Sequence, residues 1–585
     1  MGAFFLHRCL GADGRTSAKA VFASKGFTEP LLFLADGWEI LYYHKLADNK
    51  GQAHITGNTA VFAVGTFQCN GKKGNDSLKH ILNCFMNHTQ DGLTFTGHYT
   101  IIVYDGMKWN ILMDGLNTKH VFCNQSFSVF SSSMLATASL DTIVFNKDAI
   151  LEKCLTGLIL SPDTLFQGVY ELNRAMAEEA SEKSGIHIQY QSIPNMQQIE
   201  YESGSVSSIA KNRAKTLNHY MEQWKETGSE TIVDLGLSGG YDSTLLFALG
   251  YNVFNKKLHI HTHSTGHVHD KEKQIAQQIC EYRKLDCHIV QTEHFDKMEG
   301  NPINLLLENI LFFDGRTAPE IGGFSPTYTA SYRISATEHS LFTLTGVGGE
   351  VYRNPYSLPK LKIHGEDFFK LRICNPFFRQ AVQNNETVHE VLIRHLKKAE
   401  KTLCIKLTGL VPYTHFRRYY SEIVMPEGQG HVIDAYNTVS QCIAPFLEPA
   451  IIYDAYKAIP YIGNTGEFEA AIIQALDNEL YHFESSYGYP FSNIPIFEKV
   501  KSILRVHTPP LLWNYLSMKK TGNEACEYFA KVCNKCPELK NAYDSLSASM
   551  QNVDLEIMMR DPRTMAAVAY IALVMSILSK GGFTK

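Results

Sequence analysis

Between residues 95 and 131 short apolar runs alternate with turn signals. The run 99–104 (YTIIVY) is rich in β-branched and aromatic residues and stops at Asp105-Gly106; 109–113 (WNILM) stops at Asp114-Gly115; 121–123 and 127–130 continue the rhythm. Strands this short with such punctuation predict stacked antiparallel sheets, and the first ~195 residues read as mostly β. Near Ala210 the period changes. Ala210, Ala214, Leu217, Met221 and Trp224 recur at steps of four and three, which predicts an amphipathic helix closed by Gly228. Next come a strand at 231–237, a helix opening at 244–249, a strand at 258–262 and a helix at 271–284. That alternation predicts a parallel α/β sheet. From about Pro495 onward the pattern is helical and satellite-like. The most apolar window, 565–578, falls short of the ~20 residues needed to cross a bilayer and predicts a buried helix. No internal repeat or low-complexity segment interrupts the chain.

At 585 residues the chain exceeds one hydrophobic core, so two or three domains are expected. Its net charge of -5 and pI near 6.6 argue against a dedicated nucleic-acid binder. Thirteen scattered cysteines show no disulfide framework, which points to a reducing compartment. The N-terminal residues lack the pattern of a signal peptide, and Leu6 stands where a myristoylation motif wants Ser or Thr. A cytoplasmic location is expected.

The chemistry concentrates at 238–243, Ser-Gly-Gly-Tyr-Asp-Ser, placed where a strand passes into a helix. Glycines let the backbone approach an anion, N–H groups at a helix start point at it, Ser238 and Ser243 add hydroxyls, and Asp242 can hold Mg²⁺. The bland alternative is an ordinary strand–helix turn. The string SGGYDST is similar to the pyrophosphate loop of the ATP-pyrophosphatases, which split ATP into AMP and pyrophosphate while activating a carbonyl or carboxyl group. Its surroundings resemble the asparagine synthetases and their amide-forming relatives, the β-lactam synthetases and lasso-peptide cyclases. Residues 99–138 resemble the β-sandwich of their glutaminase-type domain, and 164–172 (TLFQGVYEL) the segment that closes it. Residues 345–350 (TGVGGE) resemble the second glycine-rich loop, and 444–448 (APFLE) a family element reading RPFLD.

The resemblance implies an α/β multidomain fold. An N-terminal Ntn-hydrolase-like β-sandwich (αββα) would fill 1–198, and a parallel-sheet PP-loop synthetase domain (adenine nucleotide α hydrolase-like) with helical additions would fill 199–500. A helical extension would fill 501–585. The implied activity is an ATP-dependent amide-forming ligase that adenylates a carboxylate for attack by an amine, with ATP and Mg²⁺ as cofactors. Asp242 and Glu350 would be metal ligands and catalytic; Leu237, Ser238, Gly239, Gly240, Ser243 and Thr244 would surround the triphosphate; Ser264 and Gly346 would line the same pocket. Expected partners are small-molecule or peptide carboxylates and amines, with no nucleic acid and no membrane; a homodimer is compatible.

Two departures matter. The family's glutaminase uses an N-terminal cysteine, but the second residue here is Gly2 and the first cysteine is Cys9, too far along to take over its geometry. Cys69-Asn70-Gly71 only faintly echoes the glutamine-binding residues, so glutamine hydrolysis is expected to be absent. The family's α-phosphate lysine is replaced by an acid in 467–476 (EFEAAIIQAL), and Val347 replaces an acid of the second loop. Either another cation takes over, with Lys360 the catalytic choice and Lys362 or Arg353 as alternatives, or activity is weak or lost. The last option makes the chain a catalytically silent nucleotide-binding scaffold. A tRNA-thiolating enzyme would want loop-proximal cysteines and a basic face, and neither is evident. His259, His261 and His263 alternate to one face of a strand and, with His267 and His269, form a candidate metal site beside the blander reading of a polar strand end. Cys526, Cys533 and Cys536 lack a second CxxC and read as helix-borne thiols. Arg417-Arg418 and Lys397-Lys398 read as solvated pairs.

Overall fold

Alternation along the strand Ala3–Arg8 sends Phe4 and Leu6 to one side and Ala3 and Phe5 to the other, and both sides are buried. Burial on two faces requires a layer above and a layer below. The computed structural model, which describes residues 2–8, 10–47, 52–196, 198–229, 232–264, 270–316, 327–336, 341–383, 385–520, 523–550 and 552–579, shows both. Cys9, His267 and His269 lie outside the described residues.

Ala3–Arg8 belongs to a six-stranded antiparallel sheet in the order Val169–Glu171, Phe122–Asn124, Val129–Ser131, Ala3–Arg8, Trp38–Tyr43, Leu31–Ala35. Its inner face packs on a second sheet ordered His187–Tyr190, Trp109–Met113, Phe95–Tyr104, Thr59–Cys69, Ala53–Thr56, through Phe4, Ile40 and Tyr42 against Phe62, Ile102 and Ile111. The buried Trp109 ties the two together, its indole N–H donating to Ala35 O at 3.0 Å; truncating such a side chain costs about 3–5 kcal/mol. Outside the first sheet lies the helix Ala12–Ser24, with Ala18, Val21 and Phe22 on Ala3 and Phe5. Outside the second lies Gly74–Met86, with Leu78, Ile81 and Phe85 on Val61, Ala63 and Ile101. The stacked sheets match the sequence reading, except that the second is mixed: His187–Tyr190 runs parallel to Trp109–Met113. The hydrophobic pattern alone did not mark the two flanking helices, because single apolar stripes on outer layers leave a weaker trace than alternating strands.

The second architectural unit is a five-stranded sheet, parallel throughout, in the order Cys287–Gln291, Leu258–Ser264, Val233–Gly236, Phe342–Leu344, Gln441–Ile443. Strand order reverses between Val233–Gly236 and Phe342–Leu344, and in open α/β sheets such a switch point leaves a crevice beyond the strands' carboxyl ends. Val206–Glu222, Tyr241–Phe254 and Glu467–Leu476 cover one face through Leu217, Met221, Leu245, Phe247 and Ile472. Gly228 does not close the first of these. The helix ends at Glu222, Trp224 turns inward to stack on Phe342 (5.9 Å between ring centroids), and Gly228 falls within a short separate helix, Lys225–Ser229.

The helices from 524 onward are not a satellite. Pro562–Ser579, apolar all round, runs through the largest core cluster among residues as distant in sequence as Leu155 and Phe369, and Tyr570 donates to Asn309 Oδ1 at 2.9 Å. The sandwich and the parallel sheet meet in a buried polar seam. Lys45 donates to Asn437 O (2.6 Å), Cys442 N–H to Thr66 Oγ1 (3.0 Å) and Ala444 N–H to His98 Nε2 (3.1 Å). Glu448 accepts from Gly97 N–H (2.6 Å) and the Tyr220 hydroxyl (3.0 Å).

Candidate active site

Val233–Gly236 runs into the turn at Ser238-Gly239-Gly240, and Gly240 caps the helix Tyr241–Phe254, whose first turn carries Asp242. Gly239 has φ +71° and an ideal Cβ there would lie 2.6 Å from Ile275 Cγ2, so backbone and packing both demand glycine. Ser238 N–H donates to Ser243 Oγ (3.2 Å), with the two hydroxyls 3.0 Å apart, which closes the turn on itself. Ser486 N–H tethers it from outside through Gly239 O (3.0 Å).

A cavity of about 420 Å³ opens here at the switch point. Ser238, Gly240, Asp242 and Ser243 line it from one side, Gly346 and Glu350 from the other. Of the remaining expected ligands, Leu237, Gly239 and Thr244 lie in the loop without lining the cavity; the Leu237 and Thr244 side chains are buried. Ser264 is buried at the end of the neighbouring strand, its carbonyl accepting from Thr292 N–H (2.8 Å), and it also stands off the cavity. Lys360 is exposed, with its ammonium 3.4 Å from Pro460 O, and Lys362 is exposed on a short strand; neither lines the cavity.

The cation that reaches the carboxylates is Arg353. Its Nη2 contacts Asp242 Oδ2 and lies 3.6 Å from Glu350 Oε1, and its Nε lies 3.0 Å from Glu469 Oε2. Burial alone would lower its pKa, but the carboxylates of Glu469, Asp242 and Glu350 overcome this and raise it. Glu469, on the helix Glu467–Leu476, is fully buried; burial, then the negative charge of Asp242, drive its carboxyl well above the usual range. Arg417 fixes this loop from behind, donating to Arg353 O (2.8 Å) and Val351 O (2.9 Å). It is buried rather than solvated, as is Arg418, which pairs with Glu422 at 2.7 Å; Lys398 pairs with Glu152 (2.6 Å) and Asp163 (2.7 Å), while Lys397 is exposed.

Magnesium fits this donor set. Asp242 Oδ1 is buried without a hydrogen-bond partner. A Cβ at Gly349 would lie 2.7 Å from Asp242 Cγ and closer still to Oδ1, so the glycine keeps space for that carboxylate. Asp242 and Glu350 present hard oxygen donors from two loops beside helix-start N–H groups, as Mg²⁺ with phosphates requires.

His259 and His261 do share a face. Their Nδ1 atoms lie 3.1 and 2.9 Å from Asp234 Oδ1, with Arg333 Nη2 2.7 Å from Oδ2. Burial opposes it, but His261 and Arg333 hold the Asp234 carboxyl well below the usual range. His263 is exposed. These two imidazoles and Asp234 satisfy one another as a charge-balanced cluster that also has the ligand types for a metal. Among the described residues no such group of three includes Cys526, Cys533 or Cys536.

The sequence reading did not bring Glu469, Ser486 and Tyr487 to the cleft. The run Ser485-Ser486-Tyr487-Gly488-Tyr489 carries a signal, since two aromatics about a φ +85° glycine mark a shaped turn; Tyr487 packs on Tyr241 at 5.4 Å.

Comparison with known families finds one match here: residues 232–309 fit the family described as Queuosine biosynthesis protein QueC. The matched segment contains the first three strands of the parallel sheet in chain order, the glycine turn and the helices between them. No curated protein matches the chain. The QueC match, over the segment that builds the loop, supports placing this sheet among the PP-loop ATP-pyrophosphatases.

Proposed function

We propose that the chain is an ATP-dependent amide-forming ligase of the asparagine-synthetase type, without glutaminase activity. A substrate carboxylate oxygen attacks the α-phosphorus of ATP, pyrophosphate leaves, and an amine displaces AMP from the activated acyl group. The observation that carries this reading is the convergence of two glycine-rich loops at the switch point, bringing Asp242 and Glu350 to one cavity with the N–H groups and hydroxyls of 238–243. Asp242 and Glu350 would hold Mg²⁺, which neutralises charge on the departing pyrophosphate. Arg353 takes the role of the family's lysine as the cation beside the phosphates, in place of Lys360, and Arg417 holds its backbone.

The four-layered N-terminal unit is, in this reading, a glutaminase-type domain without its nucleophile. An ideal Cβ on Gly2 would lie 2.6 Å from His44 C and 2.7 Å from Tyr43 O, so no side chain, a cysteine thiol included, fits there. The amine therefore arrives from outside or from the substrate itself. We place the protein in the cytoplasm, consistent with buried free thiols such as Cys123, Cys154 and Cys442.

The scaffold reading has one observation in its favour: Arg353 already occupies Asp242 and Glu350, and Glu469 supplies an acid where the family has a lysine. ATP–pyrophosphate exchange separates the two. Exchange that requires a carboxylate and Mg²⁺ and disappears in Asp242→Ala supports the ligase; Mg-ATP binding without exchange, across amino acids and peptides as carboxylate donors, overturns it in favour of the scaffold.

A further inference from the structure

One helix beside the cleft is built inside out, and the next extends its apolar surface. Ile496–His507 carries Ile496, Phe497, Val500, Ile503 and Leu504 at 79, 72, 48, 50 and 65% exposure, and only Val506 of that helix is buried. Their spacing places them on one stripe. Its polar residues Glu498, Lys501, Ser502 and Arg505 instead line a cavity of about 390 Å³ shared with Glu350 and Arg353. The polar face thus turns toward the protein and the apolar face toward solvent. Pro510–Lys520 extends the exposed apolar surface with Leu511, Leu512, Tyr515 and Leu516, all about half exposed or more. Nine of the 24 exposed large apolar side chains among the described residues fall between 496 and 516, so this is a concentrated patch rather than ordinary scatter.

The patch is held firmly. Arg372 donates to Arg505 O (3.1 Å) and Thr508 O (2.7 Å) across the turn between the helices, and its guanidinium lies 4.4 Å from the centroid of Trp513. It is also cationic. Lys501, which pairs with Glu498 at 3.1 Å, and Arg505 belong to the cavity side; beyond them residues 496–520 add Lys499, Lys519 and Lys520 and no further acid, within a chain of net charge -5. The Lys519 ammonium lies over the Tyr515 ring, 4.8 Å from its centroid, a cation held on the apolar surface itself. A second copy docked through the same patch would set these cations against each other. An anionic surface with an apolar layer behind it satisfies both the cations and the stripe.

We infer that the 496–520 hairpin docks the protein onto an anionic lipid bilayer, with Phe497, Leu504 and Leu511 entering the boundary between headgroups and acyl chains and the lysines meeting phosphates. The 12 residues of Ile496–His507 extend about 18 Å, suited to lying in the interface plane. No helix among the described residues is long and apolar enough to cross a membrane, so the contact is one of surface. It replaces the expectation of no membrane partner and does not depend on the ligase reading.

The test is co-sedimentation of the full chain with vesicles of phosphatidylcholine alone or with about one third phosphatidylglycerol, at low and high salt. The expected result is binding at least tenfold tighter to the anionic vesicles, weakened by salt, and lost in Phe497→Asp/Leu504→Asp while the melting temperature is unchanged. Lys499→Glu/Lys519→Glu, which leaves the stripe intact, should lose the preference for anionic lipid. No binding to anionic vesicles at low salt, or equal binding to both compositions, overturns the inference. So does light scattering that shows a dimer dissociated by Leu504→Asp, because a second copy would then cover the patch.

Discussion

Gly349→Ala isolates the geometry around the Asp242 carboxylate, proposed to hold Mg²⁺, from the rest of the cleft. The backbone at 349 does not occupy the left-handed region, so alanine can adopt it. The added methyl, however, would lie 2.7 Å from Asp242 Cγ and 2.9 Å from its Cβ. Carbon atoms rest at about 3.5–4.0 Å, so the carboxylate must retreat by about 1 Å. It cannot retreat freely, because Asp242 stands in the first turn of its helix with Oδ2 on Arg353. Overpacking of this kind costs about 1–3 kcal/mol. At about 1.4 kcal/mol per tenfold, Mg-ATP affinity should fall about tenfold or more. ATP without metal, gripped by the 238–243 turn, should change far less. Isothermal titration with and without Mg²⁺ reads the difference directly. A folded Gly349→Ala protein that binds Mg-ATP as tightly as the parent would show that Asp242 does not hold the ion.

Gly2→Cys should gain no glutaminase activity and should lower stability by about 1–3 kcal/mol in urea titration, since its Cβ meets the 43–44 backbone. Burial raises the Glu448 carboxyl to about 8, against the hydrogen bonds from Tyr220 and Gly97 that lower it. With an unfolded value near 4.5, its stabilising contribution is complete below that pH and is lost as pH rises through about 8. Glu448→Gln keeps both hydrogen bonds and should flatten, without abolishing, the decline in unfolding midpoint between pH 5 and 8, because Glu427 is likewise raised to about 8. Asp234→Ala strands the buried Arg333 guanidinium and should cost about 3–5 kcal/mol by denaturant titration; a change under 1 kcal/mol would mean the cluster is not charge-coupled.

What the sequence revealed was local. The strand–turn–helix at 233–254 and the strands of the sandwich depend on neighbours within ten or so positions, and alternation and glycine placement report them directly. The cleft depends on distant partners. Arg353, Glu469 and Ser486 meet Asp242 and Gly239 only through tertiary packing, which their own neighbourhoods in the sequence do not specify. Arg417-Arg418 illustrates the same limit from the other side: a basic pair reads as solvated until the carbonyls of Val351 and Arg353 arrive from another segment. Pro562–Ser579 was legible as buried from its composition, but its neighbours were not.

The seam between the two units gives the N-terminal sandwich a task that needs no nucleophile. Gln441–Ile443 is the outermost strand of the parallel sheet, and the N–H of Cys442 that faces away from the sheet is taken by Thr66 and Asn437. A bare strand there would offer its backbone to any passing chain. The sandwich therefore works as a lateral shield: excised from it, the parallel-sheet half would carry an open, sticky flank and tend to self-associate.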